Sequence, residues 1–157
     1  MAIQEADFDV SAELASLRDG DGGIGAIASF VGTVRGSAAT VREMWLEHYP
    51  GMTERAIEAM ADDAGRRFDI RAVRVVHRVG RLLPGEQIVL VAVASAHRRE
   101  AFQACEFVMD WLKTQAPFWK KERTPQGERW VDARESDDAA TARWGAGATP
   151  NAGDAAR

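Results

Sequence analysis

With 157 residues, 46% of them apolar and 28% charged, the chain has the make-up of one ordinary globular domain able to bury a core. Its formal charge of −4 excludes whole-molecule electrostatic binding of nucleic acid, so any anion must be held by a local basic cluster. The single cysteine, Cys105, excludes an intramolecular disulfide and points to a reducing compartment. No apolar run approaches the roughly 18 residues that span a bilayer. The start, MAIQEADFDV, places two acids before Phe8, where a signal peptide would run basic and then apolar. A cytoplasmic protein without membrane contact is expected.

In chain order, Phe8 and Val10 alternate as a short strand would, and Ser11 is placed to cap a brief helix that Asp19-Gly20 closes. The small, apolar run IGAIASFVGTVR reads as a buried strand ending at Arg35. GSAAT is a loop tip, and VREMWLEHY reads as a strand pairing back on the preceding one. Pro50-Gly51 turns the chain, and Thr53 is the expected cap of the next helix, whose Ala56, Ile57, Met60, Ala61, Ala64 and Phe68 keep three-and-four spacing. RAVRVVHRVG alternates, with Val73, Val75, His77 and Val79 on one side, and QIVLVAVAS has the β-branched content of a central strand. Ser95 is the expected cap of a second main helix, with Ala101, Phe102, Cys105, Val108, Met109 and Leu112 as its buried stripe and Pro117 as its stop. FWKKER-TPQG-ERWV then forms a hairpin. Residues 1–144 make one domain, and the small-residue stretch 145–157 is a disordered tail. Without strict strand–helix alternation, α+β with a largely antiparallel sheet is the expected class.

The segment 112–134 concentrates charge. Lys113, Lys120, Lys121, Arg123, Arg129 and Arg134 stand against Glu122, Glu128 and Asp132, a local excess of +3, with Phe118, Trp119 and Trp130 interleaved. Cations beside flat apolar surface suit an anionic heteroaromatic ligand, and they equally suit a solvated hairpin with snorkelling lysines. Lys113 falls at the border of the helical stripe, where partial burial and a neighbouring Lys120 would depress its pKa towards use as a base or amine nucleophile; complementing the helix C-terminus is the alternative role. His97, Arg98 and Arg99 open the same helix, against the macrodipole, so an anion there is one reason for them and plain solvent exposure the other. Residue 97 and residue 113 lie about 24 Å apart at 1.5 Å per residue, so a single pocket using both needs two copies of the chain. Arg35, at a strand end, suits a phosphate or carboxylate. Cys105 and His77 fit the core and a hydrogen-bonded sheet position, and no metal-ligand spacing is present.

FVGTVR (30–35), LEHYPGMTE (46–54), VVHRVGRLLPGE (75–86), SAHR (95–98), DWLKTQAPFWKKE (110–122) and GERWVDARES (127–136) together resemble the large, catalytic subunit of molybdopterin synthase, over about residues 22–144. The resemblance implies an α/β hammerhead-type α+β fold with two main helices and an additional small antiparallel sheet. It also implies a homodimeric core in a heterotetramer, each chain binding a small ubiquitin-like subunit whose Gly-Gly end carries a thiocarboxylate. That tail would donate sulfur to cyclic pyranopterin monophosphate, forming the dithiolene of molybdopterin, with no cofactor and no metal on this chain. It assigns Lys113 and Lys120 to catalysis, and Arg35, with His97 and Arg98 of the neighbouring chain, to the substrate. Thr33, Val34, Lys121 and Glu122 match substrate-contact stretches, as does Arg134. The loop after Arg35, GSAATVREM, is shorter and more apolar than the family's. A non-catalytic module that docks a ubiquitin-like tail is the alternative function, and a small RNA-binding domain using the 113–134 hairpin is a further one, disfavoured by the acidic charge.

Overall fold

The computed structural model describes residues 1–131 and 142–145. Its elements are β1 (Ala2–Gln4), α1 (Val10–Arg18), β2 (Ala26–Thr33), β3 (Glu43–His48), α2 (Met52–Arg67), β4 (Ala72–Arg78), β5 (Gly80–Leu82), β6 (Gln87–Ser95), α3 (Arg98–Thr114), β7 (Phe118–Thr124) and β8 (Gly127–Val131). They form two four-stranded sheets, ordered β1-β4-β6-β2 and β5-β3-β7-β8, antiparallel throughout except for the β1–β4 pair. The class is α+β with an additional small antiparallel sheet, as expected. No helix among the described residues is long and apolar enough to cross a membrane.

The core follows from two stripes meeting one sheet face. Ile57, Met60, Ala64 and Phe68 at the α2 side, and Ala101, Ala104, Cys105, Phe107, Val108, Met109 and Leu112 of α3, pack on Val75, Val89, Val91 and Val93. Alternation then points Val76 and Leu90 to the opposite face, where Phe8 covers them. A third cluster joins Val34, Met44, Leu46 and Leu82, and so seats the second sheet against the end of β2.

Several local expectations are corrected. Phe8 lies outside any strand, and the first strand is Ala2–Gln4, too short to show an alternation of its own. Asp9, not Ser11, caps α1 by accepting from Ala12 N–H, and α1 is the brief helix expected beside the two main ones, α2 and α3. β2 ends at Thr33 rather than Arg35, and as an edge strand it buries only Ala28. β3 does not pair with β2; its neighbours are β5 and β7, a long-range choice that no local pattern encodes. The caps of the long helices also shift. α2 follows Gly51, whose φ of 84° suits glycine and whose N–H is accepted by Glu54, while Thr53 is inside the helix. α3 follows His97, while the Ser95 hydroxyl donates to Asp69 O. Phe102, 66% exposed, is off the α3 stripe, and Phe107 is buried in it instead.

Candidate active site

α3 separates the cationic residues into two groups. At its N-terminal end His97, Arg98 and Arg99 are exposed around an open depression shared with Gly25, Ala26 and Phe102. Arg98 begins the helix and Lys113 is in its last turn, so the two groups stand roughly 22–24 Å apart along a rigid rod. The fold therefore does not bring His97 and Arg98 to Lys113 within one chain.

The C-terminal end is more elaborate. α3 closes with Gln115 N–H and Ala116 N–H both donating to Trp111 O, and Pro117 then sends the chain into β7. Phe118 stacks on His77 with ring centroids 3.9 Å apart and planes at 15°, and meets His48 at 6.4 Å. Phe118, Lys120 and Glu122 share one face of the second sheet, because strand side chains alternate. Lys120 is cross-strand from Leu46 and lies 3.8 Å from the Glu122 carboxylate, which also takes a 3.2 Å hydrogen bond from Arg129. Lys113 lies close enough to His77 for its charge to act on that ring. Lys120 thus shares a sheet face with Phe118, whose ring stacks on the histidine that the charge of Lys113 reaches. Lys113 itself is exposed in the single chain.

Arg35 reaches this region through Val34. Val34 N–H donates to Glu86 O, and Gly85 N–H donates to Val34 O, which ties the end of β2 to the loop before β6. Val34 is buried against Leu46, the cross-strand neighbour of Lys120, which leaves Thr33 and Arg35 exposed on the rim. Lys121 belongs elsewhere. It is on the opposite sheet face with Trp45 and Trp130, 3.6 Å from Glu128 and 5.6 Å over the Trp130 ring. The aromatic lining divides in the same way, Phe118 inward and Trp119 and Trp130 outward. Arg134 and the tail beyond Gly145 lie outside the described residues.

His77 is a buried sheet histidine hydrogen-bonded through Nδ1 to Arg78 O at 2.8 Å. Burial pushes its pKa down to about 4, the Arg78 bond opposes this, and the charges of Lys113 and His48 add to the lowering. The ring is thus neutral when folded but titrates near 6.5 when unfolded. Protonation then favours the unfolded chain, so stability holds above pH 6.5 and is lost as pH falls through the window down to about 4. The loss across that window is on the order of 3 kcal/mol. We expect the melting temperature to fall on acidification through this window, with His77→Phe removing that share of the slope; an unchanged slope in the variant would contradict the assignment. Burial likewise pushes the Cys105 thiol up to about 11, which fits a core residue rather than a nucleophile.

The sequence pattern marked Thr53 only as a helix cap and did not reveal that its buried hydroxyl bonds across to Pro117 O, nor the pairing of Tyr49 edge-on with Trp119 at 4.6 Å. The divergence of Lys120 from Lys121, by contrast, follows directly from their adjacency in a strand.

The family model described as "MoaE protein" matches residues 3–115, taking in β1 and α1, which the motif resemblance from residue 22 left out. The molybdopterin synthase catalytic subunit of Ralstonia nicotianae is 62% identical over 145 residues, covering 91% of this chain and 82% of that protein. The solved molybdopterin biosynthesis MoaE protein from Burkholderia ambifaria MC40-6 superposes with a TM-score of 0.80 at 63% identity, covering 92% of this chain and 97% of that one. A protein–protein complex of subunits 1 and 2 of molybdopterin-converting factor from Helicobacter pylori 26695 shares the fold, with a TM-score of 0.70 at 20% identity over 85% of this chain and 90% of that one. With the family model spanning most of its length and a relative 62% identical across most of both chains, this chain belongs to the MoaE family.

Proposed function

We propose that this chain is the catalytic subunit of a molybdopterin synthase, which moves sulfur from the C-terminal thiocarboxylate of a small ubiquitin-like subunit to cyclic pyranopterin monophosphate. The observation that carries the reading is the 62% identity, across most of both chains, to a protein of that name, in a fold where Lys120 shares a sheet face with Phe118 and the charge of Lys113 acts on the His77 ring stacked on it. Residues 1–144 act as one catalytic unit. Two copies form the core of a heterotetramer, so that His97 and Arg98 of one chain complete the site around Lys113 and Lys120 of the other.

In this site Arg35, with Thr33 and Val34 beside it, and the His97/Arg98 pair hold the phosphate and the pterin. The thiocarboxylate sulfur forms the new carbon–sulfur bond to the pterin precursor as that carbon's bond to oxygen breaks, the oxygen leaving as water at one carbon and with the phosphate, opened from its ring to a monoester, at the other. Water, admitted as the acyl carbon–sulfur bond breaks, leaves the Gly-Gly end as a carboxylate and the sulfur on the product. Lys113 moves the proton, or serves as a transient amine nucleophile that takes the acyl group before water does. Lys120, steadied by Glu122, opposes the negative charge on the tail and on the developing oxyanion. No cofactor on this chain enters, because the partner carries the sulfur. The lone buried thiol and the reduced sulfur chemistry fit a cytoplasmic location.

Reconstitution tests the reading. The purified chain, thiocarboxylated small subunit and precursor should yield molybdopterin, read as its fluorescent oxidised pterin. Tight binding of the small subunit with no turnover would instead identify a docking module.

A further inference from the structure

Thr53 is fully buried and lies in the first turn of α2, yet its hydroxyl serves two segments outside that turn. Thr53 Oγ1 accepts from Tyr49 N–H at 3.1 Å and donates to Pro117 O at 3.2 Å, a partner 64 residues away. The strand register explains the arrangement. β3 and β7 pair regularly as far as His48 opposite Phe118. The next rung would join Tyr49 to Pro117, and there the threonine hydroxyl takes the place of the direct hydrogen bond. It is spliced into the ladder as acceptor from one strand and donor to the other. A proline cannot donate, so Pro117 offers only its carbonyl, and the Thr53 hydroxyl holds it. Gly51, with φ 84°, makes the tight corner that returns Thr53 to the end of β3.

Pro117 stands four residues after Lys113 and three before Lys120. The connection between the lysines is therefore pinned at two adjacent points, the Pro117 carbonyl by Thr53 and the Phe118 ring by His77. We propose that Thr53 is a positioning residue for the sulfur-transfer chemistry: its hydroxyl splice fixes the Pro117 carbonyl and thereby the relative placement of Lys113 and Lys120. Thr53 touches neither lysine and acts through the backbone between them. The inference rests on the assignment of those lysines to the reaction.

The test compares Thr53→Val, which keeps the shape and removes the hydroxyl, with Thr53→Ser, which keeps the hydroxyl and loses only the methyl. Each variant is assayed as the complex with thiocarboxylated small subunit, in single-turnover rate and in its dependence on precursor concentration. Thr53→Val should lower the single-turnover rate constant by about 10- to 100-fold, the scale on which small misplacements of reacting groups act. The half-saturating precursor concentration should move by less than about threefold, and Thr53→Ser should bring the rate back to within about threefold of wild type. In a Lys113→Ala background the valine change should add no further loss, because the group it positions is gone. Should the valine variant not accumulate folded, Thr53→Cys takes its place, since its weak S–H donor predicts a rate between those of serine and valine. A wild-type rate in Thr53→Val or, in its place, Thr53→Cys, an equal loss in the hydroxyl-lacking variant and Thr53→Ser, or a loss confined to precursor affinity would overturn the proposal. A fully active Lys113→Ala protein would overturn the lysine assignment instead, so the two failures are distinguishable.

Discussion

Lys113→Ala is expected to lower the single-turnover rate of sulfur transfer by about 10²- to 10⁴-fold, the contribution of a positioned proton-transfer or nucleophilic group. Lys120→Ala is expected to lose on the order of 10²- to 10³-fold, as removal of one charge-stabilising donor does. Neither change should unfold the protein. Lys113 is exposed at the end of α3, and Lys120 is half-buried with its ammonium 3.8 Å from Glu122, which retains Arg129. Melting temperature and affinity for the small subunit provide the control. A Lys113→Ala protein that is folded, binds its partner and turns over at the wild-type rate would remove Lys113 from the mechanism. The double variant separates the two roles: losses that fail to add would show the lysines acting on the same step.

The second large effect concerns the two ends of α3. Its 17 residues hold Arg98 and Lys113 too far apart for one small substrate to touch both in one chain. A site shared between copies makes a sharp prediction. Arg98→Ala and Lys113→Ala homodimers should each be nearly inactive, but unfolding and reassociating an equal mixture should restore activity. Random pairing makes half of the dimers mixed, and each mixed dimer carries one site with both residues intact, so recovery should approach about a quarter of wild type. Recovery to that level would place Arg98 and Lys113 in the same site on different chains. No recovery, with mixed dimers verified by mass, would confine each site to one chain. It would then leave the His97–Arg98 depression outside the reaction.

What the sequence made legible, and what it hid, divides along local and non-local physics. The stripes of α2 and α3, the central character of β6 and the β7–β8 hairpin all follow from periodicity and turn chemistry within a dozen residues. The length of α3, and with it the separation of Arg98 from Lys113, was likewise readable from Pro117 and the stripe. Strand partnership was not. The alternating run around Met44 and Leu46 fits either neighbour, and the choice of β7 over β2 is set by Val34, Leu46 and Leu82 closing a separate small core. The helix caps fell two residues before the expected Ser11 and Thr53 and two after the expected Ser95, and two of those hydroxyls have a competing use. For Ser95 it is Asp69 O, and for Thr53 it is Pro117 O. The basic cluster at 112–134 was visible as a composition, but its division between two sheet faces needed the strand register. Lys120 and Phe118 lie on one face, whereas Lys121 and Trp130 lie on the other. Charge counting treats these residues as one patch, and the pleat separates them.

The measurement that bears most directly on the account follows the sulfur itself. The small subunit is prepared with isotopically labelled sulfur in its C-terminal thiocarboxylate, and incubated with this chain and cyclic pyranopterin monophosphate in unlabelled buffer. The account predicts that the label appears in both dithiolene sulfurs of molybdopterin, with two small-subunit thiocarboxylates converted to carboxylates for each product formed. Product whose sulfur carries no label, or consumption of the thiocarboxylate without any sulfur reaching the pterin, would contradict it.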